Sequence, residues 1–160
     1  MKKFRFLTLM LVMSAFVFVS CGKSSKGDDP EKNSIVGCWM HIENDGNWHY
    51  VEMYKFGSDG KLTFADEEFV ITSSGAFEER NTSKASGTYT QKGDKLDVTI
   101  TLRGKDYSFS NLPVSFSKSN LIISWDSGKR PVEYTPVSPA DFEDFHKDPQ
   151  AYCKKKYVKK

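Results

Sequence analysis

Residues 94–102 read DKLDVTITL, and their side chains alternate strictly between polar and apolar. The apolar positions are Leu96, Val98, Ile100 and Leu102, and the positions between them are Lys95, Asp97, Thr99 and Thr101. Successive side chains of a β-strand point to opposite faces. This period of two therefore predicts a strand with one face in a core and the other in water.

Shorter segments of the same character flank this strand on both sides. Glycine-bearing turns separate several of them, at residues 58–60, 92–94, 103–105 and 127–129, and such turns are typical of hairpins. The further predicted strands are Ser34–Ile42, Trp48–Phe56, Lys61–Ala65, Glu68–Ser73, Ser86–Gln91, Lys105–Phe116, Leu121–Trp125 and Val132–Thr135. Eight or nine antiparallel strands in sequence order favour an all-β, up-and-down barrel, because closing the sheet removes its exposed edges.

The segment Lys105–Phe116 changes its parity part-way. Tyr107 and Phe109 occupy odd positions, whereas the apolar residues from Leu112 onward occupy even ones. Because a shift of one residue exchanges the two faces of a strand, a bulge or bend is predicted near Asn111–Pro113.

Residues 138–160 are predicted to form a short helical segment with a basic tail. Ser138 can cap a helix that begins at Pro139, since proline suits the first helical position. Pro149 predicts an interruption, after which a second short helix carries Cys153.

Residues 1–20 have the pattern of a bacterial lipoprotein signal peptide. Basic residues precede an apolar run from Leu7 to Val19, which is shorter than the roughly 20 residues of a membrane span. The run ends at Ser20-Cys21, so Cys21 is predicted to be the first mature residue, carrying diacylglycerol and an N-linked acyl chain such as palmitate. Residues 21–33 then form a flexible polar tether. The alternative is an ordinary secreted protein with a coincidental cysteine.

The balance of charge argues against a nucleic-acid partner. The whole chain has 23 basic and 21 acidic side chains. Three basic residues leave with the signal peptide, so 20 basic and 21 acidic side chains remain, a net charge of −1. A nucleic-acid binder needs a basic stripe on its folded face. The expected partners are the membrane, which the lipid anchor contacts, and a small apolar ligand. The protein is expected to be a monomer.

Several short motifs lie at strand and turn positions. They are Gly-x-Trp in residues 37–39, Tyr-x-Phe-x-x-Asp-Gly in residues 54–60, Gly-Thr-Tyr in residues 87–89, Gly-Asp-Lys-Leu in residues 93–96 and the hairpin of residues 112–125. Together they resemble the lipocalin-like lipoproteins of the Bacteroidetes group. The resemblance implies a lipocalin-like barrel over residues 34–137, anchored to the bacterial outer membrane and facing either the periplasm or the cell surface.

Cys38 and Cys153 remain as a pair once Cys21 is lipidated, in a compartment where disulfides form. We predict that they bond. If Trp39 points into the barrel, its neighbour Cys38 points outward, toward the surface where a terminal helix would dock. The alternative is two separate thiols, since a sequence does not show whether two Cα atoms lie within bonding distance.

The chain contains no Gly-x-Ser-x-Gly elbow, His-Glu-x-x-His, P-loop or glycine-rich dinucleotide turn. His41, His49 and His146 lack the spacing of metal ligands, so neither a metal nor another cofactor is expected. The acidic residues 66–68 and 78–79 are interpreted as solvated loop charges, because adjacent strand residues point to opposite faces and cannot converge on one bond. We expect a protein that is not an enzyme.

One strand carries a candidate ligand site. Trp48, Tyr50, Glu52, Tyr54 and Phe56 have the same parity, so four aromatic side chains and one carboxylate lie on one face. If that face lines the barrel, it forms an apolar pocket with one polar group that can orient a ligand. The interior of an eight-stranded barrel has room for one small ligand. The alternatives are that the intervening residues face inward, or that aromatic side chains simply fill the barrel.

These features predict an envelope-anchored lipocalin-like lipoprotein that binds a small apolar or amphipathic molecule. The alternative function is a non-enzymatic interaction module that binds an envelope protein or a glycan through its outer face or loops. A lined cavity would favour the first function, and exposed aromatic side chains would favour the second.

Overall fold

A computed structural model describes residues 34–125 and 129–158. The predicted signal peptide, the lipidation site Cys21 and the tether lie outside these residues. Within the described part of the chain, no helix has the length and apolar character to cross a membrane.

The described chain forms eight strands followed by two helices. They are β1 Gly37–Asp45, β2 Trp48–Phe56, β3 Lys61–Ile71, β4 Phe77–Lys92, β5 Lys95–Leu102, β6 Lys105–Ser117, β7 Asn120–Ser124, β8 Pro131–Pro136, α1 Pro139–Lys147 and α2 Pro149–Tyr157. Each strand pairs antiparallel with the next, and β8 returns to pair with β1, so the sheet closes into a barrel. The predicted lipocalin-like up-and-down barrel is confirmed, with eight strands.

The predicted break between two strands at Asp66-Glu67 is wrong. Strand β3 runs without interruption from Lys61 to Ile71, because both acidic side chains are buried in the sheet rather than exposed in a turn. The irregularity comes later, where a bulge places Arg80 as an extra residue of β4 between the pairs of Glu68 and Phe69.

The predicted bulge in β6 is confirmed. The β5–β6 register passes from Leu96 opposite Leu112 to Val98 opposite Phe109, which gives β6 one extra residue. Asn111 has a φ of 57° there, and its backbone N–H donates to Asp97 Oδ1 at 2.8 Å. Since the extra residue restores the parity, Phe109 and Leu112 lie on the same face of the sheet.

Buried side chains form two clusters, one on each face of the sheet. The lumen cluster contains Trp39, Tyr54 and Phe56, and the outer cluster contains Val51, Met53, Cys38, Phe142, Phe145 and Cys153. Helices α1 and α2 cover the outer cluster, packing against β2, β3 and β4. Trp39 therefore points inward and Cys38 outward, as the sequence predicts.

The helices begin where their capping residues predict. The side chain of Ser138 accepts from the N–H of Asp141 at 3.1 Å at the start of α1. Asp148 ends α1 and caps α2, accepting from the N–H of Ala151 at 2.9 Å. Phe142 and Phe145 thereby face the barrel wall and anchor the helical segment on the outer cluster.

Candidate functional site

Two carboxyl groups face each other across neighbouring strands inside the barrel. Glu52 of β2 is paired in register with Asp66 of β3, and each residue is only 8% exposed. Both share the parity of Tyr54 and Phe64, which belong to the lumen cluster. The inner face of β2 is thus the aromatic face, and the alternative in which the intervening residues face inward is excluded.

Glu52 is held by two tyrosine hydroxyls. Tyr134 of β8 donates to Glu52 Oε1 at 2.7 Å, and Tyr50 donates to Oε2 at 3.1 Å. The indole N–H of Trp125 donates in turn to the Tyr134 hydroxyl at 2.7 Å. A buried carboxyl with both oxygens hydrogen-bonded is fixed in position, because losing either bond would leave a buried polar atom without a partner.

Burial controls the protonation of this group. It raises the pKa of Glu52 above its ordinary value, against the opposing effects of the Tyr134 hydrogen bond and of nearby His41. Burial, together with the Glu52 charge, also raises the pKa of Tyr134 and Tyr50 far above the ordinary value for tyrosine. Both hydroxyls therefore keep their protons and act as donors to the carboxyl group.

Asp66 is less fully satisfied than Glu52. The Tyr50 hydroxyl lies 3.4 Å from Asp66 Oδ2, but its single proton is already directed to the closer Glu52 oxygen. Asp66 Oδ1 is buried and has no hydrogen-bond partner among the described residues. Burial raises the pKa of Asp66 against the opposing hydrogen bonds of Ser83 and Tyr50. The charged form is therefore penalised in this site, and a donor from a ligand would reduce that penalty.

A cavity of about 270 Å³ opens beside Asp66. Its lining residues are Tyr54, Phe64, Asp66, Ala85, Ile100, Leu102, Tyr107, Phe109 and Trp125. Tyr107 is 46% exposed and Phe109 is 37% exposed, so this part of the lining reaches the protein surface. Packed side chains fill part of the lumen, and the cavity occupies another part.

The four predicted ligand residues lie at different distances from this cavity. Tyr54 lines it directly. Tyr50 and Glu52 lie behind Asp66 in the hydrogen-bonded group. Trp48 stacks on Tyr50 with ring centroids 6.2 Å apart and donates its indole N–H to Glu68, and it is not part of the cavity lining.

The sequence interpretation missed three side chains of the candidate site. Asp66 was predicted to be a solvated loop charge, which is wrong because it lies within β3 and points into the lumen. Tyr134 and Trp125 are far from β2 in the sequence and reach Glu52 only through closure of the barrel. A partial signal existed for Tyr134, since it lies in a strand that alternates with Val132.

Glu67, the neighbour of Asp66, points to the opposite face and is also buried. Its register partner is Val51 of the outer cluster. Thr82 donates to Glu67 Oε2, whereas Oε1 has no hydrogen-bond partner in the described part of the chain. Burial, above all, raises the pKa of Glu67 to about 7. The prediction of solvated charges is thus wrong for this residue as well.

The predicted disulfide is not formed in the structure. Cys38 and Cys153 are both buried within the outer cluster, on the strand and helix that the sequence assigned to them, but no bond joins them. Burial raises the pKa of the Cys153 thiol to about 12, so it has little thiolate character at neutral pH. The disulfide stays a prediction that presupposes an oxidising compartment.

Aromatic walls and a carboxyl group suit non-covalent binding of a small molecule. Aromatic side chains bury apolar surface, and the carboxyl oxygens accept hydrogen bonds that orient a ligand. In the described ranges, no group of three or more histidine, cysteine or acidic side chains is arranged to hold a metal ion. Comparison with protein-family models, curated proteins and solved structures finds no match to this chain.

Proposed function

We propose that this chain is a lipid-anchored, non-enzymatic binding protein of the bacterial envelope that takes a small amphipathic molecule into its barrel. The observation that carries the proposal is the cavity of about 270 Å³ with aromatic walls and one carboxyl group, that of Asp66. Such a cavity buries the apolar body of a ligand and orients its polar group.

The hydrogen-bonded group behind Asp66 supports a pre-formed site. Tyr50 and Tyr134 hold Glu52 in one position through hydrogen bonds of 3.1 and 2.7 Å, and Trp125 donates in turn to the Tyr134 hydroxyl. A ligand would therefore meet groups that are already ordered, which lowers the entropy cost of binding. The cavity is small, so the ligand is a compact molecule and not a long acyl chain.

The rival function is an interaction module that binds an envelope protein or a glycan. The observation in its favour is the exposure of two large aromatic residues, Tyr107 and Phe109. Both also line the cavity, so their exposure fits the mouth of a ligand site equally well. A cavity-filling variant separates the two functions, because it blocks the lumen without removing the exposed rings.

The test uses Ala85, a buried residue of the cavity lining. N-phenylnaphthylamine, a neutral fluorescent probe, is titrated into the protein purified from the envelope in detergent. We expect saturable binding that Ala85→Phe abolishes, because the larger ring occupies the cavity, while Ala140→Phe on the exposed side of α1 leaves binding unchanged. Equal probe binding by the Ala85→Phe variant, with unaltered unfolding, would remove the lumen as the site.

The anchor has its own test. Cells fed an alkyne analogue of palmitate should label the wild-type protein, and Cys21→Ala should lose the label because the thioether acceptor is absent. Cys38→Ala serves as the matched control, since its thiol is buried in the outer cluster. A Cys21→Ala protein that still takes up the label would contradict the lipoprotein proposal.

A further inference from the structure

Given a ligand in the lumen, as proposed above, we infer that it is a small organic cation: an amine whose apolar body fits between the aromatic walls. The carboxyl group of Asp66 would accept hydrogen bonds from the ammonium group, and the aromatic rings around Asp66 would face the positive charge. The inference names the class of ligand and rests on the proposed lumen site.

The first argument is the charge of the lining. Asp66 supplies the carboxyl group among the described residues that line the cavity, and no described lysine, arginine or histidine belongs to that lining. Glu52, the register partner of Asp66, adds a second carboxyl directly behind it. An anionic ligand would meet Asp66, with Glu52 behind it, and no basic side chain among the described lining residues; His41 lies near Glu52 but does not line the cavity. Such a contact is unfavourable where water is excluded.

The second argument is a shortage of hydrogen-bond donors. Tyr134 and Tyr50 each have one hydroxyl proton, and both protons are directed to Glu52. Asp66 has the longer Tyr50 contact at Oδ2 and the hydrogen-bonding influence of its register partner Ser83, but its buried Oδ1 has no partner among the described residues. An ammonium group brings three donors and a positive charge. It can therefore donate a hydrogen bond to the unpartnered oxygen of Asp66 and also balance the charge of a carboxylate.

The third argument is the arrangement of the rings. Trp125 stacks on Tyr54 with centroids 5.7 Å apart, and Phe109 meets Trp125 edge to face at 5.7 Å. All three rings line the same cavity as Asp66. Aromatic faces attract cations, most strongly where water is excluded, and a cage of rings with a carboxylate is suited to an ammonium group.

The experiment compares three ligands of nearly equal size on the full-length, envelope-purified protein. Phenethylamine is a cation, phenethyl alcohol is neutral and phenylacetate is an anion. Binding is followed by the NMR resonance of the Trp125 indole N–H, which is identified by its loss in Trp125→Phe. We expect phenethylamine to bind at least about tenfold more tightly than the alcohol, since its hydrogen bond to Asp66 is charge-assisted, and phenylacetate to bind most weakly.

Asp66→Asn tests the proposed acceptor. This variant keeps the shape of the side chain and removes its charge, so phenethylamine should lose its advantage over the alcohol, whose own affinity changes little. Asp106→Asn, which removes an exposed carboxylate from the same barrel, should preserve the preference for the cation. The ligand series on the unmodified protein decides the inference even if Asp66→Asn does not fold.

Each outcome separates the inference from the proposed function. Binding of the alcohol or of phenylacetate as tightly as the amine overturns the cation assignment and leaves the lumen site standing. Binding of N-phenylnaphthylamine without any binding of phenethylamine also overturns the cation assignment and leaves the lumen site standing. If none of the four compounds binds, the lumen function itself fails, and the assignment of a cation fails with it.

Discussion

The two faces of the sheet formed by β2, β3 and β4 each place one hydroxyl between two carboxyl groups. In the lumen, Tyr50 lies between Glu52 and Asp66; on the outside, Thr82 lies between Glu67 and Glu79. In each place one buried carboxyl oxygen has no hydrogen-bond partner among the described residues, Asp66 Oδ1 in the lumen and Glu67 Oε1 outside, whereas the exposed Glu79 also accepts from Gln150. The lumen site opens on a cavity, whereas Glu67 is fully buried at the outer cluster that the two helices cover.

The comparison shows that the same local chemistry has different consequences in the two places. Beside the cavity, a ligand can donate a hydrogen bond to the oxygen that lacks one, and that hydrogen bond would contribute to the affinity for the ligand. In the closed outer site, no ligand can reach Glu67, so its carboxyl group is stabilised by taking up a proton. The stability of the fold therefore depends on pH. We therefore expect changes in the lumen to alter binding and changes in the outer cluster to alter stability.

The largest effect expected is on the outer side, from the predicted disulfide. Oxidation of Cys38 and Cys153 would close a long loop and stabilise the fold by about 4–5 kcal/mol on the chain-entropy argument, less any strain. Non-reducing peptide mass analysis of envelope-purified protein should find the two cysteines in one linked peptide. Recovery of both residues as alkylated thiols after oxidising preparation would contradict the prediction.

A pair of phenylalanine truncations compares the two regions directly. Phe145→Ala removes a fully buried ring of the outer cluster and should lower the free energy of unfolding by about 3–4 kcal/mol, with little effect on the lumen. Phe109→Ala, at the exposed rim of the cavity, should cost about 1 kcal/mol or less because its ring is already partly in water. Phe109→Ala should nevertheless weaken binding of phenethylamine.

Chemical denaturation measures the first effect, and the Trp125 resonance measures the second. If Phe109→Ala destabilises the protein as much as Phe145→Ala, the rim is part of the core and the division between the two regions fails.

The pH dependence of stability should reflect Glu67. Its pKa is about 7 in the folded protein against an ordinary value of 4.5, so the folded state retains a proton that the unfolded chain loses at lower pH. The stability present below about pH 4.5 is therefore lost as the pH rises through about 7, by about 1–3 kcal/mol. Glu67→Gln should remove this contribution, because the amide cannot ionise.

The measurement is a series of denaturant titrations across this pH range. Glu78→Gln is the matched control, since Glu78 is exposed and paired with Arg80 on the surface. The slopes due to Glu52 and Asp66 have the same sign and remain in both variants. A Glu67→Gln protein that keeps the full wild-type slope would show that Glu67 ionises without penalty.

The smallest effect on stability is expected from Glu52→Gln in the lumen. The amide keeps the shape of the side chain, and its oxygen can still accept from Tyr134 while its N–H₂ donates to the Tyr50 oxygen, so unfolding should change by about 1 kcal/mol or less. Binding of phenethylamine should weaken more clearly, because one of the two carboxyl groups that would face the ammonium group is lost. Tyr54→Ala should weaken binding of N-phenylnaphthylamine by removing a wall of the cavity.

A large loss of stability with unchanged ligand affinity would reverse the expected roles. Glu52 would then be a structural element of the core, and the lumen site would depend on Asp66 alone.

Much of the architecture could be predicted from local patterns. The alternation in β5, the parity change in β6 and the proline and capping residues of α1 and α2 each act over a few residues, so the sequence contains their cause directly. The same parity placed Tyr50, Glu52 and Tyr54 on one face. It could not show which face is inside, because that depends on what covers the other side.

The sequence by itself determined the strands, the turns and the residues that share a face. Only the tertiary structure decided the site. Asp66 and Glu67 are adjacent acids that look alike in the sequence, yet one borders the cavity and the other lies at the outer cluster. Likewise, Tyr134 reaches Glu52 across 82 positions of the chain. Closure of the barrel brings such distant groups together, and the resulting burial sets their pKa values and their hydrogen bonds.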